Sequence, residues 1–469
     1  MDFYTDIVKY GEAVALVSDK GETYTYTRLV ADGATLTATL PTRSLVFLVC
    51  ENRPESVVAY IGFLRKGIVP VLVNPKIDRD QLTYLLTAYK PMYICCAQGW
   101  YAEGAEVTTY GGYHVLRYTA GVHSPLNPEL AVLITTSGST GSPKLVMQSY
   151  TNISANANSI ADYLQITAQD RAITTMPMSY TYGLSIIQSH LLMGARIILT
   201  ERTLMEKEFW SLFRQEGATT FGGVPYIYEM LKRLRFGRMD LPTLKYITQA
   251  GGKLSKELAL EFSHICQEKG FKLVVMYGQT EATARMAYLP WEFAFEKAGS
   301  IGIAIPGGEL VLIDEKGTEI TVPDVVGEMV YRGANVTLGY AHEASDLANE
   351  DQRGGVLETG DMAKRDADGF FYIVGRKKRF LKLFGNRVNL DEVESILNSS
   401  GFSCVCGGRD DLLKIYLVQG DADKEKLAVE LVSAKTGLHR SAFTACSIDE
   451  IPRNEAGKVL YGKLEELYG

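Results

Sequence analysis

The chain has 469 residues, a length that predicts two to four domains at roughly 150 residues each. Its 48 Lys and Arg residues against 55 Asp and Glu residues give a formal net charge of −7, which argues against a surface that neutralises the phosphates of long nucleic acids. Hydrophobic residues make up 46% and charged residues 22% of the sequence, so the chain can form a sizeable core and is not disordered.

The seven cysteines are scattered and odd in number, and they lack the spacing and histidine partners of a zinc site. We expect them to be buried free thiols. The start of the chain carries Asp2, Asp6, Glu12 and Asp19 among short apolar pieces, unlike a signal or transit peptide. The apolar runs are far shorter than the roughly 18 residues that cross a bilayer. We therefore expect a cytoplasmic protein without a membrane span.

Short apolar runs alternate with amphipathic stretches from residue 44 to about residue 277. The first repeat reads as a strand at 44–50, a helix at 55–67 and a strand at 68–73, which is the unit of a parallel α/β sheet. Between about 299 and 375 the sequence changes to Gly-punctuated β segments, which predict a smaller β subdomain. The predicted fold class is therefore α/β.

Two domains are expected from this pattern. Residues 1–376 form a large N-terminal domain with several subdomains, mostly parallel sheets and the β subdomain. A basic run follows Gly375, and after it an amphipathic helix and short strand-like pieces predict a small α+β C-terminal domain at residues 377–469.

The loop 135–144, TTSGSTGSPK, follows a short apolar strand and combines hydroxyls, glycines and a lysine. Backbone N–H groups, hydroxyls and the Lys144 ammonium are all suited to phosphate oxygens. The loop is not a Walker A motif, since Lys144 follows Pro143 and precedes Leu145. On its own the pattern predicts either a phosphate-binding loop or a flexible surface loop.

Four further motifs accompany this loop: MYGQTEA (276–282), ETGD (358–361), GRKKRFLKLFGNRV (375–388) and PRNEAGK (452–458). In order and spacing the five motifs resemble those of the adenylate-forming superfamily, which comprises acyl- and aryl-CoA synthetases, adenylation domains of nonribosomal peptide synthetases, and luciferases. The resemblance covers the chain from about residue 40 to the C-terminus. It implies that ATP activates a carboxylic acid to an acyl-adenylate with release of pyrophosphate, and that the acyl group then passes to a thiol.

The resemblance also implies roles for individual residues. Glu281 would hold Mg²⁺, for which a carboxylate oxygen is a suitable ligand, and Thr280 would contact the α-phosphate. Tyr277 would stack on adenine or line the acyl pocket, while Asp361 and Arg376 would hold the ribose. The implied catalytic and nucleotide-binding residues of the N-terminal domain are Thr136, Ser137, Gly138, Ser139, Thr140, Gly141, Lys144, Gly251, Tyr277, Gly278, Thr280, Glu281, Asp361 and Arg376.

Three residues near the C-terminus have implied roles that involve motion. Lys458 resembles the mobile catalytic lysine that bridges the substrate carboxylate and the α-phosphate. Lys378 resembles the hinge about which the C-terminal domain rotates between the two half-reactions. Gly385 resembles the glycine whose missing side chain lets a pantetheine arm pass. The resemblance thus implies that the small C-terminal domain is mobile.

The acyl pocket is implied at residues 176–195, where Tyr180 stands at a position that is His in many relatives. Tyr182, Gly183, Pro225, Gly252 and the Ala282 to Arg285 turn complete the expected lining. Amino-acid-activating members place an Asp in this stretch to hold the α-ammonium, and residues 176–195 contain no acidic residue. We expect His190 to be packed rather than catalytic, because the attacking carboxylate needs no general base. The expected substrate is a small carboxylic acid without an α-amino group.

The sequence therefore predicts an ATP- and Mg²⁺-dependent acid–thiol ligase, with coenzyme A slightly favoured as the acceptor. The alternative is the same adenylation with loading onto the phosphopantetheine of an acyl carrier protein, including with an amino acid. Two remote alternatives are a P-loop-type kinase or ATPase and a non-catalytic nucleotide-binding relative. The missing Gly-Lys-Ser/Thr argues against the P-loop enzyme.

Overall fold

The computed structural model describes residues 1–100, 103–135, 144–384, 386–453 and 459–468, without the side chains of residues 378, 380, 386 and 387. The helices are α1 (Tyr26–Thr37), α2 (Pro54–Lys66), α3 (Arg79–Tyr89), α4 (Tyr150–Tyr163), α5 (Thr181–Leu192), α6 (Lys207–Glu216), α7 (Pro225–Arg233), α8 (Lys256–Lys269), α9 (Leu390–Ser399), α10 (Ala422–Thr436) and α11 (Tyr461–Tyr468).

The strands are β1 (Val14–Ser18), β2 (Thr23–Thr25), β3 (Leu45–Val49), β4 (Val69–Val73), β5 (Tyr93–Ala97), β6 (Ala105–Tyr110), β7 (Tyr113–Arg117), β8 (Leu130–Thr135), β9 (Leu145–Ser149), β10 (Arg171–Ile173), β11 (Arg196–Leu199), β12 (Thr220–Gly223), β13 (Tyr246–Gln249), β14 (Lys272–Tyr277), β15 (Ala287–Tyr288), β16 (Ile303–Ala304), β17 (Gly308–Ile313), β18 (Gly327–Gly333), β19 (Gly339–Ala341), β20 (Val356–Arg365), β21 (Phe371–Arg376), β22 (Phe380–Leu383), β23 (Asn386–Asn389), β24 (Cys404–Arg409), β25 (Leu412–Val418) and β26 (Phe443–Ile448).

The first of two compact units contains the described residues up to residue 309 and residues 331–357. Its nine-stranded sheet has the order β16-β15-β14-β13-β12-β10-β11-β1-β2, and the six strands from β14 to β1 are parallel. Every residue of β12 and β13 is buried, as is usual when helices cover both faces of a parallel sheet.

The eight-stranded sheet of the same unit has the order β19-β9-β8-β4-β3-β5-β7-β6. Its central strands β8, β4, β3 and β5 are parallel, and its outer pairs are antiparallel. The predicted strand, helix and strand of the first repeat correspond to β3, α2 and β4. The predicted α/β fold class is confirmed.

The second unit contains residues 310–330 and the chain from residue 358 onward. It includes most of a four-stranded sheet in the order β17-β18-β20-β21, the pair β22-β23 and the sheet β24-β25-β26. Residues 358–376 thus group with the C-terminal residues in this division, whereas the sequence analysis places a domain boundary between residues 376 and 377. That boundary stays a prediction.

One arginine organises the C-terminal part of the second unit. The Arg379 guanidinium pairs with Asp391 and Glu394 on α9, and it lies 4.0 Å from the ring centroid of Tyr461 on α11. These contacts join the turn after β21 to two helices.

None of the helices in the described part of the chain has the length and apolar composition that a bilayer crossing requires.

Candidate active site

Three neighbouring parallel strands of the nine-stranded sheet lead into predicted site segments. Pro225 begins α7 just after β12, Gly251 and Gly252 follow β13, and Gly278 follows β14. Because the carboxyl ends of parallel strands meet at one edge of a sheet, these segments converge there.

The turn after β14 folds back tightly on the strand. A Cβ atom on Gly278 would lie 1.8 Å from the carbonyl oxygen of Ala284, so this position requires glycine. Thr283 has a φ of 65°, and its hydroxyl donates to the Asn335 carbonyl at 2.7 Å. The Asn335 amide in return donates to the Arg285 carbonyl at 3.0 Å. Side chains from other segments therefore hold this strained turn in place.

Both ends of Glu281 are fixed within this turn. One carboxylate oxygen accepts a 2.6 Å hydrogen bond from the Tyr340 hydroxyl. Its backbone carbonyl accepts hydrogen bonds from the Thr337 N–H at 3.0 Å, the Thr337 hydroxyl at 2.9 Å and the Arg353 guanidinium at 3.1 Å. Burial raises the pKa of Tyr340, and the adjacent Glu281 charge raises it further, so the phenol stays a hydrogen-bond donor.

Two cations lie near the Tyr340 ring. The Lys144 ammonium nitrogen lies 3.4 Å from the ring centroid, and the guanidinium carbon of Arg353 lies 4.7 Å from it. Both positions are within cation–π range. Lys144, Glu281, Tyr340 and Arg353 are called the Tyr340 cluster below. Two predicted site residues therefore contact the same tyrosine. Lys144 lies near its ring, and Glu281 accepts a hydrogen bond from its hydroxyl.

In the sequence, the predicted phosphate loop lies between β8 and β9. β8 and β9 are antiparallel, and Thr135 lies opposite Leu145 in their register. The strand β9 was not predicted from the sequence. A P-loop connects a strand to a helix, whereas a strand follows this loop, which contradicts the P-loop alternative. The predicted residues Thr136 to Gly141 lie outside the described residues.

Two glycines and an aromatic side chain meet in the predicted acyl pocket. A Cβ atom on Gly251 would lie 2.7 Å from the Tyr180 hydroxyl oxygen. Gly251 also has a φ of 82°. The Pro225 ring would lie 3.1 Å from a Cβ atom on Gly252. Glycine at both positions leaves room for Tyr180 and Pro225 at the sheet edge.

Tyr182 lies deeper than Tyr180 and is 3% exposed. Its hydroxyl donates to the Thr248 carbonyl at 2.8 Å and accepts from the Gly223 N–H at 3.2 Å, which ties α5 to β12 and β13. A Cβ atom on Gly183 would lie 2.4 Å from the Pro177 carbonyl oxygen. Tyr182 is therefore packed against the two strands, and Gly183 against the segment that precedes α5.

His190 is packed within α5, in agreement with its expected role. One ring nitrogen bonds the Ile186 carbonyl at 2.8 Å and the other lies 3.2 Å from the Tyr246 hydroxyl. Burial lowers the pKa of His190 to about 4, so the ring is neutral near pH 7.

The second unit brings the predicted ribose ligands together. Asp361 on β20 lies opposite Arg376 on β21, and a 2.7 Å ion pair joins their side chains. The Asp361 side chain is 3% exposed, whereas the Arg376 side chain is 55% exposed. Lys378 lies in the 3₁₀ turn Lys377–Arg379, while Gly385 and Lys458 lie outside the described residues.

The remaining predicted residues lie where β14 ends. Tyr277 is the last residue of β14, and its hydroxyl accepts from the Gln279 side chain at 3.1 Å. Thr280 begins the short 3₁₀ helix Thr280–Ala282. Tyr340, which is 59 residues from Glu281 along the chain, was not predicted as a site residue. A single tyrosine on a three-residue strand shows no periodic pattern. The preceding Gly339 was the one nearby residue that could have drawn attention to this position.

The AMP-binding enzyme family model matches residues 3–341 of the chain. The chain belongs to the AMP-binding enzyme family. This AMP-binding enzyme is 27% identical over 436 residues to the 2-succinylbenzoate–CoA ligase of Bacillus cereus, a match that covers 90% of the chain and 88% of the relative.

Two solved structures share its fold. O-succinylbenzoate coenzyme A synthetase (MenE) from Bacillus subtilis in complex with AMP has a TM-score of 0.80 at 23% identity, covering 99% of this chain and 98% of that chain. The same protein in complex with ATP and a magnesium ion has a TM-score of 0.79 at 23% identity, covering 99% of both chains. The predicted superfamily and the predicted AMP-forming ligase class are confirmed.

The tight turn after β14 leads to a first prediction. We expect Gly278→Ala to lower the free energy of unfolding by about 1–3 kcal/mol, because the new methyl group overlaps a backbone oxygen and the turn must shift. Chemical denaturation would measure the loss. The matched control is Gly237→Ala, whose Cβ atom would come no closer than 3.3 Å to the Ile265 side chain. Equal losses in the two variants would contradict the steric argument.

Proposed function

We propose that this AMP-binding enzyme uses ATP and Mg²⁺ to activate a carboxylic acid without an α-amino group, and that it transfers the acyl group to coenzyme A. The observation that carries the proposal is the Tyr340 cluster, in which a carboxylate and two cations surround one phenol beside the converging strand ends. The 2-succinylbenzoate–CoA ligase and the AMP and ATP complexes of MenE support the reaction type.

Adenylation brings anions together, so the site must supply positive charge and hydrogen-bond donors. A carboxylate oxygen of the acid attacks the α-phosphorus, a new oxygen–phosphorus bond forms, and the bond to the leaving pyrophosphate breaks. Lys144, Thr280 and the residues Thr136 to Gly141 would face the phosphate oxygens. Lys458 would bridge the acid carboxylate and the α-phosphate. Asp361 and Arg376 would hold the ribose hydroxyls.

Glu281 fits a role as the protein ligand of Mg²⁺. Mg²⁺ is usually bound by one or two carboxylates together with substrate phosphates, and the Tyr340 hydrogen bond fixes this carboxylate. Among the described residues no group of three or more His, Cys, Asp or Glu is placed to hold a metal ion. When bound, Mg²⁺ neutralises charge on the phosphate oxygens.

The charges around the acyl pocket favour an acid without an α-amino group. Residues 176–195 contain no Asp or Glu, and Glu229 on α7 is exposed. Arg285, at the end of the turn that follows β14, is 1% exposed. A buried ammonium needs a paired anion, and near Arg285 it would instead face a second cation.

The proposal includes a motion of the C-terminal domain. Lys378 is the hinge, the domain that moves begins at residue 377, and Gly385 leaves room for the pantetheine arm of coenzyme A.

The proposed location is the cytoplasm. All seven cysteines are free thiols and six of them are buried, which agrees with a reducing cytosol.

The direct test is acid-dependent turnover. Purified enzyme with ATP, MgCl₂ and a panel of aryl, hydroxy, fatty and amino acids should show pyrophosphate exchange with some of the acids lacking an amino group, and should form AMP when coenzyme A is added. Chromatography separates AMP from ADP, and mass spectrometry identifies the thioester. Formation of ADP, or exchange with free α-amino acids alone, would contradict the proposal. A thioester on a phosphopantetheinylated carrier protein but not on coenzyme A would assign the other acceptor.

The Tyr340 cluster leads to a prediction about magnesium. Tyr340→Phe removes the hydrogen bond that fixes Glu281, and loss of such an outer partner typically costs about 10- to 100-fold in metal affinity or activity. We expect the Mg²⁺ concentration for half-maximal adenylation to rise in that range. Tyr89→Phe is the control, since this buried hydroxyl donates to the Ala341 carbonyl on the same strand, β19. A similar rise in the control would contradict the role of Tyr340.

The assigned catalytic lysine leads to a prediction about the two half-reactions. Lys458→Ala should abolish adenylation, because removing a donor at the developing charge costs about 3 kcal/mol or more. Conversion of a supplied acyl-adenylate to the thioester should stay largely intact, since charge no longer converges on the α-phosphate. Rapid-quench assays of each half-reaction would measure the difference. Lys463→Ala, at an exposed lysine of α11, is the control, and equal loss in both half-reactions of Lys458→Ala would contradict the assignment.

A further inference from the structure

Arg285 is the largest of the fully buried side chains and is 1% exposed. Its guanidinium donates to the Tyr163 hydroxyl at 3.1 Å and to the Ser185 hydroxyl at 3.0 Å, and it also contacts the Met276 sulfur. The guanidinium carbon lies 4.7 Å from the ring centroid of Tyr182. All four partners are uncharged, so the positive charge of Arg285 is not neutralised by them.

The hydrogen-bonding capacity of Arg285 is also incompletely used. The buried Nε atom has no acceptor, and within the described residues the guanidinium forms no ion pair with a carboxylate. An arginine does not lose its proton in a protein, so burial leaves a charged group that is costly without an anionic partner.

The contacts of Arg285 place its charge at the predicted acyl pocket. Ser185 and Tyr182 belong to α5, and Met276 belongs to β14, so the guanidinium lies between the helix and the sheet. Burial raises the pKa of Tyr182 to about 12, and the Arg285 charge acts in the opposite direction. The same charge acts on Tyr180, the residue beside Gly251.

The guanidinium is not needed to hold the turn on which it lies. The Arg285 backbone carbonyl accepts hydrogen bonds from the side-chain amides of Asn335 at 3.0 Å and Asn156 at 2.9 Å. The side chain contributes only contacts to neutral groups, which an uncharged residue of similar length would make without a desolvated charge. The charge therefore calls for an anionic ligand.

We propose that Arg285 binds a second carboxylate of the substrate, so that the enzyme prefers dicarboxylic acids. This inference rests on the proposed function, since the pocket it concerns is that of the acid to be adenylated. One carboxylate reacts at the sheet edge. The other accepts hydrogen bonds from the guanidinium, including its Nε atom. Paired N–H donors of a guanidinium match the two oxygens of a carboxylate.

The first test compares each dicarboxylic acid with its monoamide in the wild-type enzyme. Succinate and succinamate, glutarate and glutaramate, and phthalate and phthalamate differ in one charge at almost constant size. We expect at least one dicarboxylic acid to exceed its monoamide about 30-fold or more in kcat/KM for AMP formation, because a buried charge pair that loses one partner is weakened at least this much. Monoamides that equal or exceed all three dicarboxylic acids would overturn the proposal.

The second test removes the guanidinium. Arg285→Gln should lower kcat/KM for the preferred dicarboxylic acid about 30-fold or more, and should leave its monoamide within about threefold of the wild-type value. Arg285→Lys should restore part of the preference, since it keeps the charge and loses the planar fork. The control is Arg43→Gln, at a partly buried arginine that donates to the carbonyls of Leu130 and Asn127 and should not alter the preference.

The outcomes separate this inference from the proposed function. Equal loss for dicarboxylic acids and monoamides in Arg285→Gln, with the fold intact by circular dichroism, would make Arg285 a structural residue and overturn the inference. Activity of the wild type with benzoate or butyrate above that with any dicarboxylic acid would also overturn it, while the ligase reaction stands. A wild-type enzyme that forms no AMP with any acid overturns the proposed function itself. Because the first test uses the wild type alone, a variant that does not fold leaves the inference testable.

Discussion

The site depends on how the carbonyl groups of one turn are satisfied. In the turn after β14, Ala282, Thr283 and Arg285 are buried, and buried carbonyl groups are costly without hydrogen bonds. Asn335, Thr337 and Arg353 supply donors to this turn from the chain segment that includes β19. Since these bonds fix the backbone, they also fix the direction of the two charged side chains that the turn carries, Glu281 and Arg285.

The two charged residues of the turn have opposite surroundings. Glu281 accepts a hydrogen bond from the Tyr340 hydroxyl, and two cations lie near the ring of the same tyrosine. The negative charge of Glu281 therefore has positive charges nearby. Arg285 faces hydroxyls, a thioether and an aromatic ring, and none of these carries a charge. Glu281 therefore has oppositely charged neighbours, whereas Arg285 has none among the described residues. The acid substrate is the natural source of the anion that Arg285 lacks.

Much of the fold was predictable because its strands are short apolar runs separated by amphipathic helices. The strand β9 was missed because LVMQS directly follows a polar loop and precedes a helix, so no alternation marks it. Glu281 was predicted as a metal ligand from its motif, but its partner Tyr340 depends on the pairing of β19 with β9, which no local pattern encodes. Arg285 was expected at the pocket, yet only the tertiary structure shows that no described residue gives its buried charge a counter-charge.

The two asparagines that anchor the Arg285 backbone have an evolutionary consequence. Both asparagines donate hydrogen bonds to the backbone carbonyl of Arg285 and not to its side chain. A substitution at residue 285 therefore need not move Glu281, four positions earlier. A lineage can therefore exchange the chemistry at the acid end by single substitutions while the nucleotide end stays constant. Such a turn lets a chain diversify what it activates without rebuilding how it activates it.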